Sequence, residues 1–362
     1  MEPVTHLLTG ACLSRAGLNR RTAYATMAMV LAAEAPDIDV LWYLRGPITG
    51  LAHHRGISHT LIAAPLLALA TTGVVWGWHK LRTRLPGRLR PKPLQQQISW
   101  LWIWLLSLIA VFSHLLLDYT NAYGLRPLFP FNPKWYSGDL VFILEPVMLL
   151  LLGMALVMPW LLSLADREIG ARRVEFPGRG WAWFAIVGIL LLWGWRWVEH
   201  DKALALMDNG ALTGDRILKR SAVPYPVNPY RWTLVAETPE SFVRGHASTR
   251  TGEVVSDPIR DTLYKQQTTL AALNAKRSYL GQIYLDWSAY PYVEDIGPVP
   301  VDGVAPPVLA AGQQWTTIRF RDLRYNYPDL LGNRESPLTA YAYVLNSREM
   351  AAMILNGKEE DR

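Results

Sequence analysis

The stretch SWLWIWLLSLIAVFSHLLLD, residues 99–118, contains no Asp, Glu, Lys or Arg before its last residue. About 20 such residues in a helix cross the hydrocarbon core of a bilayer, so the segment predicts a membrane span, Ser99 to Leu117. Working outward, Val141 to Leu162 and Trp181 to Val198 are of the same kind, and Ile57 to Leu81 is a fourth if His59 sits at the interface. Trp residues such as Trp76, Trp78, Trp100, Trp102, Trp160, Trp181, Trp195 and Trp197 crowd near the ends of these segments, as interfacial aromatic belts do. Buried helices of a soluble core are the weaker alternative. The fold class that follows is mainly α, a polytopic transmembrane helical bundle, and the rest of the chain qualifies it.

From about Asp201 onward hydrophobicity falls and Pro, Gly and charge rise. Trp232 to Glu237, Ser241 to Ser248, Ile283 to Trp287 and Trp315 to Phe320 read as strands, and Leu263 to Leu280 as one amphipathic helix. The expectation is a membrane-embedded part, residues 1–200, and a soluble α+β domain, residues 201–362. Basic residues gather between apolar segments, as Lys80, Arg82, Arg84, Arg88, Arg90 and Lys92, and as Arg167, Arg172, Arg173 and Arg179. This is the pattern of cytoplasmic loops, so the net charge of +6 does not point to nucleic acid. With those loops inside, the C-terminal domain is exoplasmic, and periplasmic in a Gram-negative cell. Near the start, Thr5–Ala16 and Thr22–Ala35 are each about 20 Å long as helices and flank a Gly17–Arg21 turn, which predicts a helical hairpin. The rival is a single span from Thr22 to Leu44. Cys12 is the one cysteine, so an intrachain disulfide and a Cys-based zinc site are both excluded. No cleavable signal peptide is evident, since Arg15 and Arg20-Arg21 break the first apolar stretch.

Ionisable side chains at the ends of membrane helices are costly and default to a functional reading. Here they fall at one end: His6; Pro36-Asp37-Ile38-Asp39; His53-His54-Arg55-Gly56-Ile57-Ser58-His59; His114-Leu115-Leu116-Leu117-Asp118; and Asp139 with Glu145-Pro146. The i, i+4 spacing of His114 and Asp118 puts both on one helix face, where they can share an ion. Alone, such a pair is more often a cap or a buried hydrogen bond; the other clusters reverse those odds. Imidazole with carboxylate suits zinc, manganese or iron better than calcium. Three histidines within residues 53–59, among them His54 and His59, exceed simple interfacial polarity, and His54 is a candidate metal ligand. Arg55 either clamps an anionic oxygen or snorkels toward headgroups. One of Asp37 and Asp39 can be a ligand or general base while the other orients a histidine. Glu145 is equally read as a ligand or as a carboxylate placed by a helix dipole.

Taken in order, these motifs, with Tyr119-Thr120-Asn121-Ala122-Tyr123-Gly124 after Asp118, resemble the YdjM-like family of predicted membrane-bound metal-dependent hydrolases over roughly the first 160 residues. That family is in turn distantly similar to the zinc-dependent phospholipase C and P1 nuclease group. The resemblance implies His6, Asp37, His59, His114 and Asp118 as metal ligands, with Glu145 a further candidate. It also implies a multi-pass location in the bacterial inner membrane. A second His-x-x-x-Glu motif, part of the group's three-metal pattern, is not found.

The expected activity is hydrolysis by a metal-activated water, with zinc the expected ion and manganese the alternative. Asp37, Asp39 and Arg55 are the candidate catalytic residues, and a phosphoester or a membrane lipid or lipid-linked molecule the expected substrate. Two other classes compete. A metal-ion carrier would need polar residues deeper in the spans than Leu149–Leu152 or Ile186–Leu192 supply. A noncatalytic scaffold would recruit a partner through its exoplasmic domain.

Overall fold

A computed structural model describes residues 1–86, 93–168, 176, 178–325, 327, 330, 336 and 338–360, without the side chains at 165–168. Arg88, Arg90, Lys92, Arg172 and Arg173 of the basic loops lie outside the described residues. In chain order the helices are α1 Pro3–Arg15, α2 Ala25–Glu34, α3 Pro47–His53, α4 Ala63–Arg84, α5 Trp100–Thr120, α6 Pro146–Glu168, α7 Arg179–Asp208, α8 Leu270–Arg277 and α9 Tyr279–Trp287. Two compact units result. One comprises Met1–Asp39 and Arg55–Trp197, the other Val40–His54 and Val198–Arg362.

The first unit is helical. Helices α5, α6 and α7 are each long and apolar enough to cross a membrane; α4 joins them if it is taken together with the bent stretch 47–59 before it. The expected hairpin is present as α1 and α2, joined by a short helical turn, Leu18–Arg20, and after Glu34 α2 gives way to a 3-10 helix, Ala35–Arg45, rather than continuing as one α-helical span to Leu44. Gly10 permits the close approach of the two arms, because a Cβ there would stand 2.6 Å from the Met29 carbonyl oxygen. Cys12 is fully buried, its Sγ 3.6 Å from the Ala182 carbonyl oxygen of α7.

Helix α5 begins at Ser99, whose side chain accepts a hydrogen bond from the Trp102 amide, an ordinary N-cap. Its buried residues include Ile103, Leu106, Ser107, Ala110, Val111, His114, Leu117 and Asp118, a stripe at 3, 4 and 7 residue intervals. Leu101, Ile109, Phe112 and Leu116 on the other side are exposed, as residues facing lipid are. His114 and Asp118 thus lie on the stripe that Ala25, Met29, Ala32 and Ala33 of α2 cover. Helix α7 is longer than Trp181–Val198 predicts. Its 30 residues extend about 45 Å, which exceeds the roughly 30 Å apolar thickness of a bilayer.

The second unit is rich in β-structure. One antiparallel sheet has the order β1 Lys219–Pro224, β2 Arg231–Glu237, β3 Ser241–Ser248, β4 Glu253–Val255, with β5 Thr262–Tyr264 also on β3. The other runs β10 Lys358–Glu359, β9 Glu349–Leu355, β8 Ala340–Leu345, β7 Trp315–Asp322, β6 Pro291–Asp295. The strands predicted at 232–237, 241–248 and 315–320 are present. Two expectations fail. Residues 263–280 divide among β5, α8 and the start of α9, because Thr269 caps α8 while Ser278 both ends it and caps α9. Ile283–Trp287 is not a strand but the end of α9, whose buried Leu280, Tyr284 and Trp287 recur at helical spacing. Helix α3 joins this unit through Glu360, whose carboxylate accepts from the Ile48 amide at 2.6 Å and the Thr49 amide at 3.1 Å.

Asp322 anchors the second sheet from inside. Its carboxylate accepts from Ser288 Oγ at 2.7 Å, the Ala289 amide at 3.0 Å and Arg324 Nη2 at 2.8 Å. Burial pushes its pKa up, but Arg324 and these hydrogen bonds outweigh that and hold it below the ordinary value. A carboxylate whose folded pKa is depressed stabilises the fold above its unfolded pKa, about 3.9, and that contribution is lost as pH falls through the folded value. Asp322→Asn is expected to lower the melting temperature of this unit at neutral pH. The gap from wild type should narrow on acidification, read by circular dichroism melts at pH 7 and pH 3.

Candidate metal centre

Three chain segments of the first unit bring four side chains together. Asp37 comes from the helical turn after α2, His59 from the turn before α4, and His114 and Asp118 from the buried stripe of α5. One ligand atom from each lies within 4.8 Å of all the others. His59 Nε2 is 3.1 Å from His114 Nε2, 3.3 Å from Asp37 Oδ1 and 3.3 Å from Asp118 Oδ2. His114 Nε2 is 3.3 Å from Asp118 Oδ2 and 3.6 Å from Asp37 Oδ1. Tetrahedral bonds of about 2.0–2.1 Å imply ligand-to-ligand edges of about 3.3–3.4 Å, the spacing a zinc-sized ion requires.

Proton placement supports the same fit. His114 Nδ1 lies 2.7 Å from the Ala33 carbonyl oxygen, which can only accept, so the neutral ring carries its proton on Nδ1. His59 Nδ1 lies 3.1 Å from Asp39 Oδ2 and is fixed in the same tautomer. Both Nε2 atoms therefore present lone pairs to each other and to two carboxylate oxygens. A single proton can be shared by two of these four acceptors; a divalent cation serves all four. Asp118 Oδ2 is also buried without a hydrogen-bond donor. The residues present fit a divalent metal.

The surrounding groups hold the ligands in place. Asp39 Oδ2 accepts from the Arg55 amide at 2.8 Å and Ser58 Oγ at 3.1 Å while engaging His59. Arg55 is buried rather than directed toward headgroups. Its Nη2 donates to Asp118 Oδ1 at 2.6 Å and its Nη1 to the Gly124 carbonyl oxygen at 2.8 Å and to Asn121 Oδ1 at 3.2 Å. Its guanidinium lies 4.6 Å from the centre of the Tyr123 ring. Asp118 thus offers one oxygen to the metal position and has the other fixed by a cation. Asp37, 17% exposed, is the ligand with an open side; the other three are at 0–1%.

Three further residues named in the sequence have different positions. His6 is fully buried and stacks on His114 with centroids 3.7 Å apart; its Nε2 is 3.4 Å from Asp118 Oδ1, and neither ring nitrogen has a hydrogen-bond partner. It stands beside the group of four, against the outer oxygen of Asp118. His54 is not among the four; it belongs to the second unit, where its ring meets Tyr43 edge-on at 6.2 Å. Glu145 is fully buried and accepts from Arg196 Nη2 of α7 at 2.8 Å. Sequence reasoning passed over Arg196, Ser58 and the role of Asn121. For Arg196 the signal was available: a lone arginine inside an apolar segment calls for a partner.

Helices long enough to span a bilayer, with a buried histidine–carboxylate group where three segments of one unit meet, define an integral membrane protein with a candidate metal centre. Residues 1–203 match the model of the family described as YdjM inner membrane protein, and the chain belongs to that family. It is also 27% identical over 154 residues to YfhP of Bacillus subtilis (strain 168), an uncharacterized protein. That similarity covers 40% of this chain and 42% of the relative. No solved structure matches.

Proposed function

We propose that the chain is a metal-dependent hydrolase of the bacterial inner membrane, acting on a phosphoester or lipid-linked substrate. The carrying observation is the convergence of two imidazole lone pairs and two carboxylate oxygens at 3.1–3.6 Å, with a second group behind each of His59, His114 and Asp118. Zinc is the proposed ion, with manganese the alternative. Bound there, such an ion supplies a Lewis acid and lowers the pKa of water toward neutrality. Asp39 and the Ala33 carbonyl orient the two histidines, and Arg55 orients Asp118, so these three act by positioning. Asp37, with its open side, is the residue proposed to meet substrate and to accept a proton on its second oxygen. His6, beside the Asp118 oxygen that Arg55 already holds, is proposed to steady the His114 ring it stacks on rather than to bind an ion.

The basic loops support an orientation with the centre and the β-rich unit on the exoplasmic side. A phosphoester or phospholipid hydrolysis assay on detergent-purified protein tests the activity. The expected result is turnover that chelation abolishes, zinc or manganese restores, and Asp37→Asn lowers by on the order of 100-fold or more. Turnover indifferent to chelator would sink the proposal, as would a metal-loaded, folded protein inert toward phosphoesters, phospholipids and lipid-linked phosphates alike.

A further inference from the structure

Residues 121–145 join α5 to α6. Both helices are long and apolar enough to span, so the connection leaves and re-enters the membrane at one face. It is held in a defined shape. The Leu125 amide donates to the Tyr136 carbonyl oxygen at 3.0 Å, and the Tyr136 amide returns the bond to Leu125 at 2.9 Å. Gly124, at φ +78°, permits this pinch, since a Cβ there would stand 2.8 Å from the Tyr136 carbonyl oxygen. Within the loop the Asn132 amide donates to the Leu128 carbonyl oxygen at 3.0 Å, and the Arg126 guanidinium lies 4.9 Å from the Phe129 ring and 4.6 Å from the Trp135 ring. The Leu61 amide donates to the Pro127 carbonyl oxygen at 2.9 Å, which fastens the loop to the segment just after His59.

A loop so constrained nevertheless presents apolar side chains outward. Phe131 is 82% exposed and Leu128 44%, while Leu61 and Ile62, next to the Pro127 attachment, are exposed as well. No acidic residue occurs from Asn121 to Gly138, whereas Arg126 and Lys134 do; exposed Lys134 lies over the Tyr136 ring. Arg126 is buried between its two rings, but exposed apolar tips beside aromatic rings and the exposed Lys134 match the boundary between acyl chains and anionic headgroups.

We infer that the loop around Phe131 is a lipid-interface anchor, which seats Leu128 and Phe131 among the headgroups of the leaflet where α5 ends and α6 begins. The base of this anchor is tied to the candidate metal centre, through Gly124 to Arg55 and through Pro127 to Leu61. The inference rests on the spans and on the loop, and stands or falls independently of the hydrolase reading.

The test uses the full chain in vesicles of mixed phosphatidylcholine and phosphatidylglycerol. Cys12 is buried, so Phe131→Cys places a single reachable thiol at the tip for an environment-sensitive fluorophore, and Leu128→Cys supplies a second position. Arg250→Cys, on an exposed turn of the β-rich unit, is the comparison. Expected at both tip positions are blue-shifted emission, quenching by lipids carrying a nitroxide near the headgroup, and iodide quenching about threefold or more weaker than at position 250. Tip labels that iodide quenches as strongly as at position 250, with no effect of the nitroxide lipids, would overturn the anchor. So would protection from both quenchers, which would mean a protein surface covers the tip.

Discussion

Replacing His114 and Asp118 together by alanine is expected to strip the purified protein of bound divalent metal. Structural zinc sites bind with about 10–16 kcal/mol shared among four ligands, so removing two weakens affinity by on the order of 10⁴ or more. Elemental analysis of detergent-purified wild type should find roughly stoichiometric zinc or manganese, and the double variant almost none at equal folding. Asp39→Asn should behave differently. It leaves all four ligands but removes the anion behind His59 Nδ1, and loss of such an orienting partner costs about 10–100-fold in affinity. A well-folded wild type without metal, even after reconstitution with zinc and manganese, would rule out the centre.

The second large effect is structural and lies away from the four ligands. Arg196→Met is expected to destabilise the helical unit by about 3–5 kcal/mol, because Glu145 would stay buried after losing the guanidinium that faces it. Both side chains of this pair are fully buried. Glu145→Gln with Arg196→Met should recover much of that loss, since removing both charges also removes both desolvation costs. Thermal unfolding in detergent measures the effect. Metal content separates the two roles proposed for Glu145: stoichiometry unchanged in Glu145→Gln fits the pair with Arg196, whereas loss of metal in that variant would make Glu145 a ligand.

Much of the helical part could be read from local pattern. Apolar length alone identified α5, α6 and α7, and the i, i+4 spacing placed His114 and Asp118 on one face, because a regular helix ties sequence distance to geometry. The hairpin was legible because Gly17 to Arg21 interrupts two short apolar runs. Destinations across the chain were not. Nothing local distinguishes a carboxylate paired with a cation from one that faces a metal, so Glu145 read equally as a ligand, and its partner Arg196 lies 51 residues away. Arg55 was recognised as important, but its targets, Asp118, Asn121 and Gly124, are fixed by tertiary packing. His54 stood among histidines in sequence, yet Val40–His54 packs with the β-rich unit, where Glu360 holds α3. Residues 263–287 misled for a local reason: Ser278 can end one helix and cap the next, and a helix-spaced apolar set of nine residues also contains a short strand-like run.

Helix α1 carries the chain's one thiol, sealed against the Ala182 carbonyl of α7. A reagent that alkylates Cys12 can do so only after the hairpin has parted from that neighbour. Its labelling rate, divided by that of a free thiol, therefore gives the equilibrium constant for opening when reclosure is fast. The molecule thus carries a native gauge of how often α1 stands open, readable in a vesicle without any engineered probe.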